Sequence, residues 1–200
     1  EETDHLQGPA AGLAGTGPAP MRTLRTATAL LLILGALSLC VWLAEYVPVG
    51  HWGFSISVTF LFIAVFTVIF DFLLEPKLSS AYFDSRPFER GGSVYRWFGV
   101  RYYAWVLRRI GWENLRRQER PITRDRESII QFERWTRGAE AVHALAAIVV
   151  AGITVWVGFI GSPSDTKWLV LSNVLFNVYP VMLQRYNRAR VERIRRPRAV

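Results

Sequence analysis

Four long apolar stretches set the pattern of this chain, and each runs for 16 to 21 residues without Asp, Glu, Lys or Arg. A helix needs about 20 mainly apolar residues to cross a hydrocarbon core of roughly 30 Å. The pattern therefore predicts an all-α membrane protein with four transmembrane helices. The charge-free stretches are Ala27–Ala44, Phe54–Phe70, Ala141–Gly161 and Trp168–Leu183, and they predict spans over about residues 24–45, 52–71, 141–161 and 168–184.

Between the second and third predicted spans, residues 72–140 interleave aromatic side chains with arginines. Within this segment, Val94–Ile110 places Trp97, Trp105 and Arg108 at helical spacing. Aromatic rings and long basic side chains are both well accommodated at the level of the lipid headgroups. We therefore expect an amphipathic helix at the membrane surface, with most of its arginines forming a basic face against anionic lipid.

The four spans predict a single membrane domain over residues 21–200. Residues 1–20 are rich in Gly, Ala and Pro and have no apolar periodicity, so we expect a disordered tail or a remnant of the expression design. The first apolar run also resembles a signal peptide, because Arg22 and Arg25 precede it. Its length, the lack of a small-x-small cleavage site and the three further spans favour a membrane anchor.

The positive charges are segregated, although the chain carries a net charge of +8. Fourteen of the 24 Lys and Arg residues lie between Phe72 and Glu140, seven follow Leu183, and Lys167 alone lies in a loop on the opposite side. The positive-inside rule then predicts that both termini and the central segment face the cytoplasm. The basic surplus is explained as a topology signal, which disfavours a nucleic-acid partner. The lone Cys40 lies within the first span, where it is expected to be a small buried side chain.

Glu133, Glu140 and His143 share one helical face, because they are spaced seven and three residues apart. The carboxylate of Glu140 would hold the imidazole of His143 in one tautomer. His143 could then act as a base that takes a proton from an alcohol during acyl transfer. The alternative is a helix-entry histidine with a carboxylate for solubility. Glu-x-x-His is also half of a di-iron carboxylate motif. The second half is missing from the sequence, so we predict no metal.

A polar stripe runs along the fourth apolar stretch. Asn173, Asn177 and Gln184 fall within about 40° of each other on a helical wheel. Pro180 lacks a backbone donor, which frees the carbonyl of Phe176 and predicts a kink. The stripe is expected to line a site, with interhelical hydrogen bonding as the alternative.

The sequence contains other polar pairs but no standard nucleophile. Asp71 and Glu75 are expected to pair with the arginines of residues 185–190 in a structural clamp. There is no G-x-S-x-G elbow, no P-loop and no paired CxxC, and none of the three histidines is followed by Asp at the fifth position. Direct, base-assisted transfer is the acyl chemistry that the residues support.

Four segments together carry a family resemblance that covers about Leu74 to Arg193. They are Pro87–Arg90, Tyr95–Arg101, Glu133 with Ala139-Glu140-x-x-His143, and Asn177-x-Tyr179-Pro180 with Gln184-Arg185-Tyr186-Asn187-Arg188-x-Arg190. The closing Gln184–Arg190 run is the most specific part. On these segments the chain resembles the bacterial glycosyl-4,4'-diaponeurosporenoate acyltransferases, whose reaction esterifies the sugar of a carotenoid glycoside with a fatty acyl group at the membrane.

The resemblance implies a multi-pass protein of the bacterial inner membrane, with membrane lipid, an acyl donor and a lipid-like acceptor as partners and no cofactor beyond the donor, acyl-CoA or another. His143, oriented by Glu140, would deprotonate the acceptor. Asn177 and Gln184 would hold the acceptor or the oxyanion, and Arg185 and Arg188 the donor. A non-catalytic accessory subunit of a larger membrane complex is the alternative. The predicted catalytic residues are His143, Glu140 and Glu133, and the predicted substrate-binding residues are Asn173, Asn177, Gln184, Arg185, Tyr186, Asn187, Arg188 and Arg190.

Overall fold

A computed structural model describes residues 19–70, 80–84, 86–112 and 126–195 of the chain. Over these residues the protein is helical and contains no strand, which confirms the all-α prediction. Two 3-10 segments, Pro87–Gly92 and Pro163–Thr166, and a π-helical turn, Val174–Val178, connect the α-helices. The α-helices are α1 (Ala19–Tyr46), α2 (Trp52–Val68), α3 (Ser80–Phe83), α4 (Ser93–Trp97), α5 (Val100–Arg109), α6 (Arg126–Ile160), α7 (Lys167–Asn173) and α8 (Tyr179–Arg195).

The apolar core lies where α2 packs between α1, α6 and α7. On α2 the buried side chains recur every fourth residue, which is the spacing of one helical face. On α6 the same spacing buries Val142, Ala146 and Val150. Thr59 and Ser172 add a buried hydroxyl pair, 2.9 Å apart, between α2 and α7. The core residues of α2 are Phe54, Val58, Phe62 and Phe66.

Among the described residues, two helices are long and apolar enough to cross a membrane, namely the segments Thr23–Tyr46 and Ile130–Ile160 of α1 and α6. Their outer faces are also apolar, since Leu31 is 68% and Phe159 is 85% exposed. Such faces suit a lipid environment. The helix α2 is also apolar, but its 17 residues are fewer than the about 20 that a membrane span needs. The predicted spans at 52–71 and 168–184, and the orientation of the termini, stay predictions.

The last predicted span lies in a helical stretch without a break, from α7 through the π-helical turn to α8. In that turn the Tyr179 N–H donates to the carbonyl of Val174, five residues back instead of four. Single π-helical turns of this kind are rare and often mark functional sites. The irregularity that Pro180 predicts is therefore present directly before the proline.

The segment between α2 and α6 packs its described residues against α8. The 3-10 segment Pro87–Gly92, α4 and α5 all contact α8. Gly92 lies at the closest approach: its φ is +87°, and an added Cβ would lie 3.1 Å from the Cβ of Ala189. A larger residue would therefore meet both backbone strain and a steric clash. On the opposite side of α5, the rings of Tyr102 and Trp105 stack with exposed faces, 5.6 Å apart.

Candidate active site

A buried ionic cluster joins α6 to α8. Glu140 has no exposed surface, because its carboxylate is covered by two arginines from α8. Arg185 Nε donates to Glu140 Oε1 at 2.8 Å, and Arg188 Nη2 donates to Glu140 Oε2. A buried carboxylate is stable only when it is paired and hydrogen-bonded, and this one has a guanidinium on each oxygen.

Arg185 extends the cluster to the segment that precedes α4. Its Nη1 donates to Glu89 Oε1 at 2.5 Å, and its Nη2 donates to the carbonyl of Tyr82 at 2.9 Å. The guanidinium also lies over the Tyr82 ring, 5.0 Å from its centroid. All three nitrogens of Arg185 are thus bound within the protein.

Glu89 accepts hydrogen bonds on both of its carboxylate oxygens. Tyr95 donates its hydroxyl to Glu89 Oε1 at 2.6 Å, and the backbone N–H of Arg86 donates to Oε2 at 3.1 Å. Burial alone would raise the pKa of the Glu89 carboxyl, but the hydrogen bonds from Tyr95 and Arg185 outweigh it and hold this pKa below its ordinary value. Burial and the contact with Glu89 raise the pKa of Tyr95. Glu89 is therefore ionised and Tyr95 is neutral near pH 7.

A second polar chain lies beside the ionic cluster, also between α6 and the last helical stretch. Asn173 Nδ2 donates to the carbonyl of Ala147 at 3.0 Å. Asn177 Nδ2 then donates to Asn173 Oδ1 at 2.9 Å. The chain ends at a contact of 3.4 Å between Asn177 Oδ1 and His143 Nδ1, which is long for a hydrogen bond.

This chain has one direction, because its first acceptor is a carbonyl oxygen. Ala147 can only accept, so the amide of Asn173 must turn its NH₂ towards it, and Asn177 must do the same towards Asn173. The oxygen of Asn177 is then left to face His143, and His143 Nδ1 must carry the proton. The backbone of Phe176 also lies close to His143. The carbonyl of Phe176 is the group there without a helical donor, since Pro180 has no N–H.

The predicted site residues divide between these two clusters. Glu140 contacts Arg185 and Arg188, and the described partners of His143 are Asn177 and Phe176, so the geometry does not match the expected orientation of His143 by Glu140. Two full guanidinium charges attract the carboxylate more strongly than a neutral ring does.

Several predicted residues lie away from both clusters. Glu133 pairs with Arg137 at 2.6 Å and is 29% exposed, so it does not join Glu140 and His143. Arg190 is exposed and lies over the ring of the half-buried Tyr186, at 5.8 Å from its centroid. Asn187 is half-buried. Asp71 and Glu75 lie outside the described residues, so the predicted clamp stays a prediction.

Polar atoms without a partner concentrate near Arg188. Among the described residues, Arg188 Nε and Nη1, Gln184 Oε1 and Arg137 Nε are buried and have no hydrogen-bond partner. Both arginines also lie over the ring of Phe83, at 5.2 Å for Arg188 and 5.3 Å for Arg137. Gln184 and Arg188 are one helical turn apart on α8. The region around Arg188 therefore has nitrogens and an oxygen without a partner, whereas each nitrogen of Arg185 has one.

Sequence reasoning missed three members of the ionic cluster. Glu89 and Tyr95 entered only as part of the family resemblance, and Tyr82 did not enter at all. A Glu next to an aromatic-rich segment is a weak signal, because the partner Arg185 is 96 residues away in the chain. In the described part of the chain, no group of three His, Cys, Asp or Glu side chains converges as a metal site would require.

Comparison with known proteins identifies the family of the chain. The family model described as glycosyl-4,4'-diaponeurosporenoate acyltransferase (CrtO) matches residues 79–197. That range contains every side chain of both clusters and leaves out α1 and α2. No curated protein and no solved structure shows a significant match to the chain. Because the family model matches more than half of the 200 residues, the chain belongs to the glycosyl-4,4'-diaponeurosporenoate acyltransferase family and is an acyltransferase.

Proposed function

We propose that the protein moves a fatty acyl group to a sugar hydroxyl of a glycosylated isoprenoid, such as a carotenoid glycoside, at the cytoplasmic face of the bacterial inner membrane. His143 is the general base. The acceptor oxygen attacks the acyl carbonyl carbon, its proton passes to His143 Nε2, and the bond from that carbon to the donor's leaving group breaks. The proton then passes from His143 to the leaving group, which restores the neutral ring.

The directional amide chain carries this proposal. It supplies an acceptor to His143 Nδ1, so a neutral ring keeps its lone pair on Nε2. A base needs this fixed tautomer, because a ring that turns or exchanges tautomers presents the wrong nitrogen half of the time. The distance of 3.4 Å suits a site without substrate, since catalytic hydrogen bonds often tighten only when the substrate binds.

Arg188 and Gln184 are proposed to contact the substrates, whereas Arg185 is a scaffold residue. Arg188 has two nitrogens and Gln184 has one oxygen that are unpaired in the described part of the chain. An arginine donor suits the phosphate or the carbonyl of an activated acyl donor, and an amide oxygen suits an acceptor hydroxyl. Every nitrogen of Arg185 already has a partner within the protein.

The membrane location follows from the apolar helices together with the charge pattern. The α1 and α6 segments are long and apolar enough to span, and the Lys and Arg residues gather on one side of the predicted spans. A carotenoid glycoside has an apolar chain that remains in the bilayer and a sugar at its surface. A base at the interface end of a membrane helix is therefore well placed to reach the sugar.

The test uses purified protein in lipid nanodiscs, with acyl-CoA and two acceptors that differ only in the sugar. Mass spectrometry should detect an ester of the glycosylated isoprenoid and none of the matched isoprenoid that lacks the sugar. Transfer to neither acceptor by folded protein would contradict the proposal. Activity that appears only in a fixed complex with other subunits would support the accessory role instead.

A further inference from the structure

The π-helical turn leaves two carbonyl oxygens without a backbone donor. In a regular α-helix the carbonyl of Leu175 accepts from the N–H of residue 179, and that of Phe176 accepts from residue 180. Here the N–H of Tyr179 donates to Val174 instead, and Pro180 has no N–H. A carbonyl oxygen is an obligatory acceptor, so one that loses its helical donor is expected to take another.

Two side chains from other helices lie at these oxygens. The hydroxyl of Tyr103, on α5, donates to the carbonyl of Leu175 at 3.0 Å. His143, on α6, lies close to the backbone of Phe176. The two side chains therefore approach adjacent peptide groups of the same turn, and the next residue in that turn is Asn177, the acceptor for His143.

We propose that Tyr103 is a positioning residue for the reaction: its hydroxyl holds the π-helical turn in the register that places the Asn177 oxygen against His143. Without this bond the Leu175 carbonyl regains a donor only if the Tyr179 N–H returns to it. That return converts the turn to a regular α-helix and rotates Asn177 relative to α6. The inference rests on the proposed function of His143, but its structural part does not depend on any activity.

The hydroxyl is suited to this role, and the ring has a separate one. Burial raises the pKa of Tyr103 to about 12, so the hydroxyl keeps the proton that it donates over any ordinary working pH. The ring stacks on that of Tyr179 at 5.0 Å with an angle of 25°. Tyr103→Phe therefore removes the donor and keeps the stack, which makes this variant a clean test.

The first measurement is the carbonyl signal of Leu175 in protein labelled with ¹³C at Leu carbonyls and ¹⁵N at Phe. The sequence contains two Leu–Phe pairs, Leu175–Phe176 and Leu61–Phe62, so two linked signals are expected. In Tyr103→Phe, the Leu175 carbonyl should shift and that of Leu61 should stay unchanged. An unchanged Leu175 carbonyl would show that the bond is absent and would overturn the inference.

The second measurement reads the effect at the ring of His143. The chain has three histidines, so ¹⁵N labelling gives few ring signals, and those of His143 are assigned by their loss in His143→Gln. Tyr103→Phe should lower the fraction of the Nδ1–H tautomer of His143 and leave His51 unchanged. A shift at Leu175 with no change at His143 would reduce Tyr103 to a structural role.

Activity gives the third readout. In Tyr103→Phe, kcat should fall by about 3- to 10-fold, the change that corresponds to one hydrogen bond, while KM stays the same for both substrates. Tyr102→Phe is the matched control, because it removes an exposed hydroxyl from the neighbouring residue of the same helix. Equal kcat values for the two variants would contradict the role in catalysis. If neither the wild type nor the variants transfer acyl groups, the proposed function fails while the two NMR results still decide the structural part.

Discussion

Two polar clusters lie side by side between α6 and the last helical stretch, and they differ in how completely their groups are paired, with Arg188 the exception within the ionic cluster. In the ionic cluster, the carboxylate of Glu140 is bound by two arginines, and Arg185 has a partner within the protein for every nitrogen. In the amide chain, each group donates to the one before it: Asn173 to the carbonyl of Ala147, Asn177 to Asn173, and His143 Nδ1 to Asn177, so the second ring nitrogen of His143 carries the lone pair.

With His143 proposed as the base, charge alone is a poor guide to chemistry in this protein. The most heavily charged residues join distant segments, because a buried ion pair tolerates little change in its geometry. The neutral chain ends at a group that can exchange a proton. The ionic cluster is therefore expected to govern stability, and the amide chain to govern turnover. Substitutions should separate these two properties.

The largest effect is expected from breaking the ionic cluster. Glu140→Gln removes the carboxylate that pairs with Arg188 and leaves Arg185 with Glu89 alone, which should lower the free energy of unfolding by about 3–5 kcal/mol. Thermal unfolding in detergent measures this loss. The control is Glu133→Gln, which breaks a partly exposed pair and should cost about 0–1 kcal/mol. Similar losses in the two variants would show that burial does not distinguish the pairs.

Breaking the amide chain should act on turnover. Asn177→Leu removes the acceptor for His143 Nδ1–H, so kcat should fall by about 10- to 100-fold, a part of the 10²–10⁴ that a positioned base contributes. Steady-state kinetics at saturating donor measure the change. The comparison between clusters fails if this variant turns over normally, or if it loses activity only in proportion to its folded fraction.

The next effect concerns the donor. Arg188→Lys keeps a charge beside Glu140 but loses the Nε donor and the planar fork, so the KM for the acyl donor should rise by about 10-fold. The KM for the acceptor should stay constant. Donor and acceptor titrations measure both values. An unchanged KM for the donor would assign Arg188 to the closed ionic cluster together with Arg185.

The smallest effect is the response to acid. The folded-state pKa of Glu89 lies below its ordinary value of 4.5, so its contribution to stability is complete above that pH and is lost as the pH falls through the folded value. Glu89→Gln should therefore flatten the decline of the melting temperature below about pH 4.5. Melting curves from pH 3 to pH 7 test this, and an unchanged slope would show that other carboxyls govern acid unfolding.

The sequence predicted the helices well because their signal is local. The apolar stretches and their spacing placed helices at all four expected positions, and the lack of an N–H at Pro180 predicted an unpaired carbonyl at Phe176. The second unpaired carbonyl, at Leu175, was not predictable. It depends on whether Tyr179 bonds four or five residues back, and the group that contacts the freed carbonyl, Tyr103 of α5, is 72 residues away in the chain.

The site was predicted in part, for a similar reason. The stripe of Asn173 and Asn177 and the residue His143 came from spacing on a single helix. The partners of Glu140 could not be found from spacing. Spacing along α6 suggested His143, whereas the structure places two arginines of α8 at the carboxylate. Sequence spacing shows which residues share a face. It does not show which of several partners from another helix is attracted most strongly.

The most direct test of the account is the acyl-transfer rate of His143→Gln, measured with the glycosylated acceptor at saturating donor. Glutamine keeps a side chain of similar reach that can donate to Asn177, but it has no basic nitrogen. The account predicts a loss of about 10²–10⁴ in kcat, with a melting temperature close to that of the wild type. Near-normal turnover by the folded His143→Gln protein would contradict the role of His143 as the base.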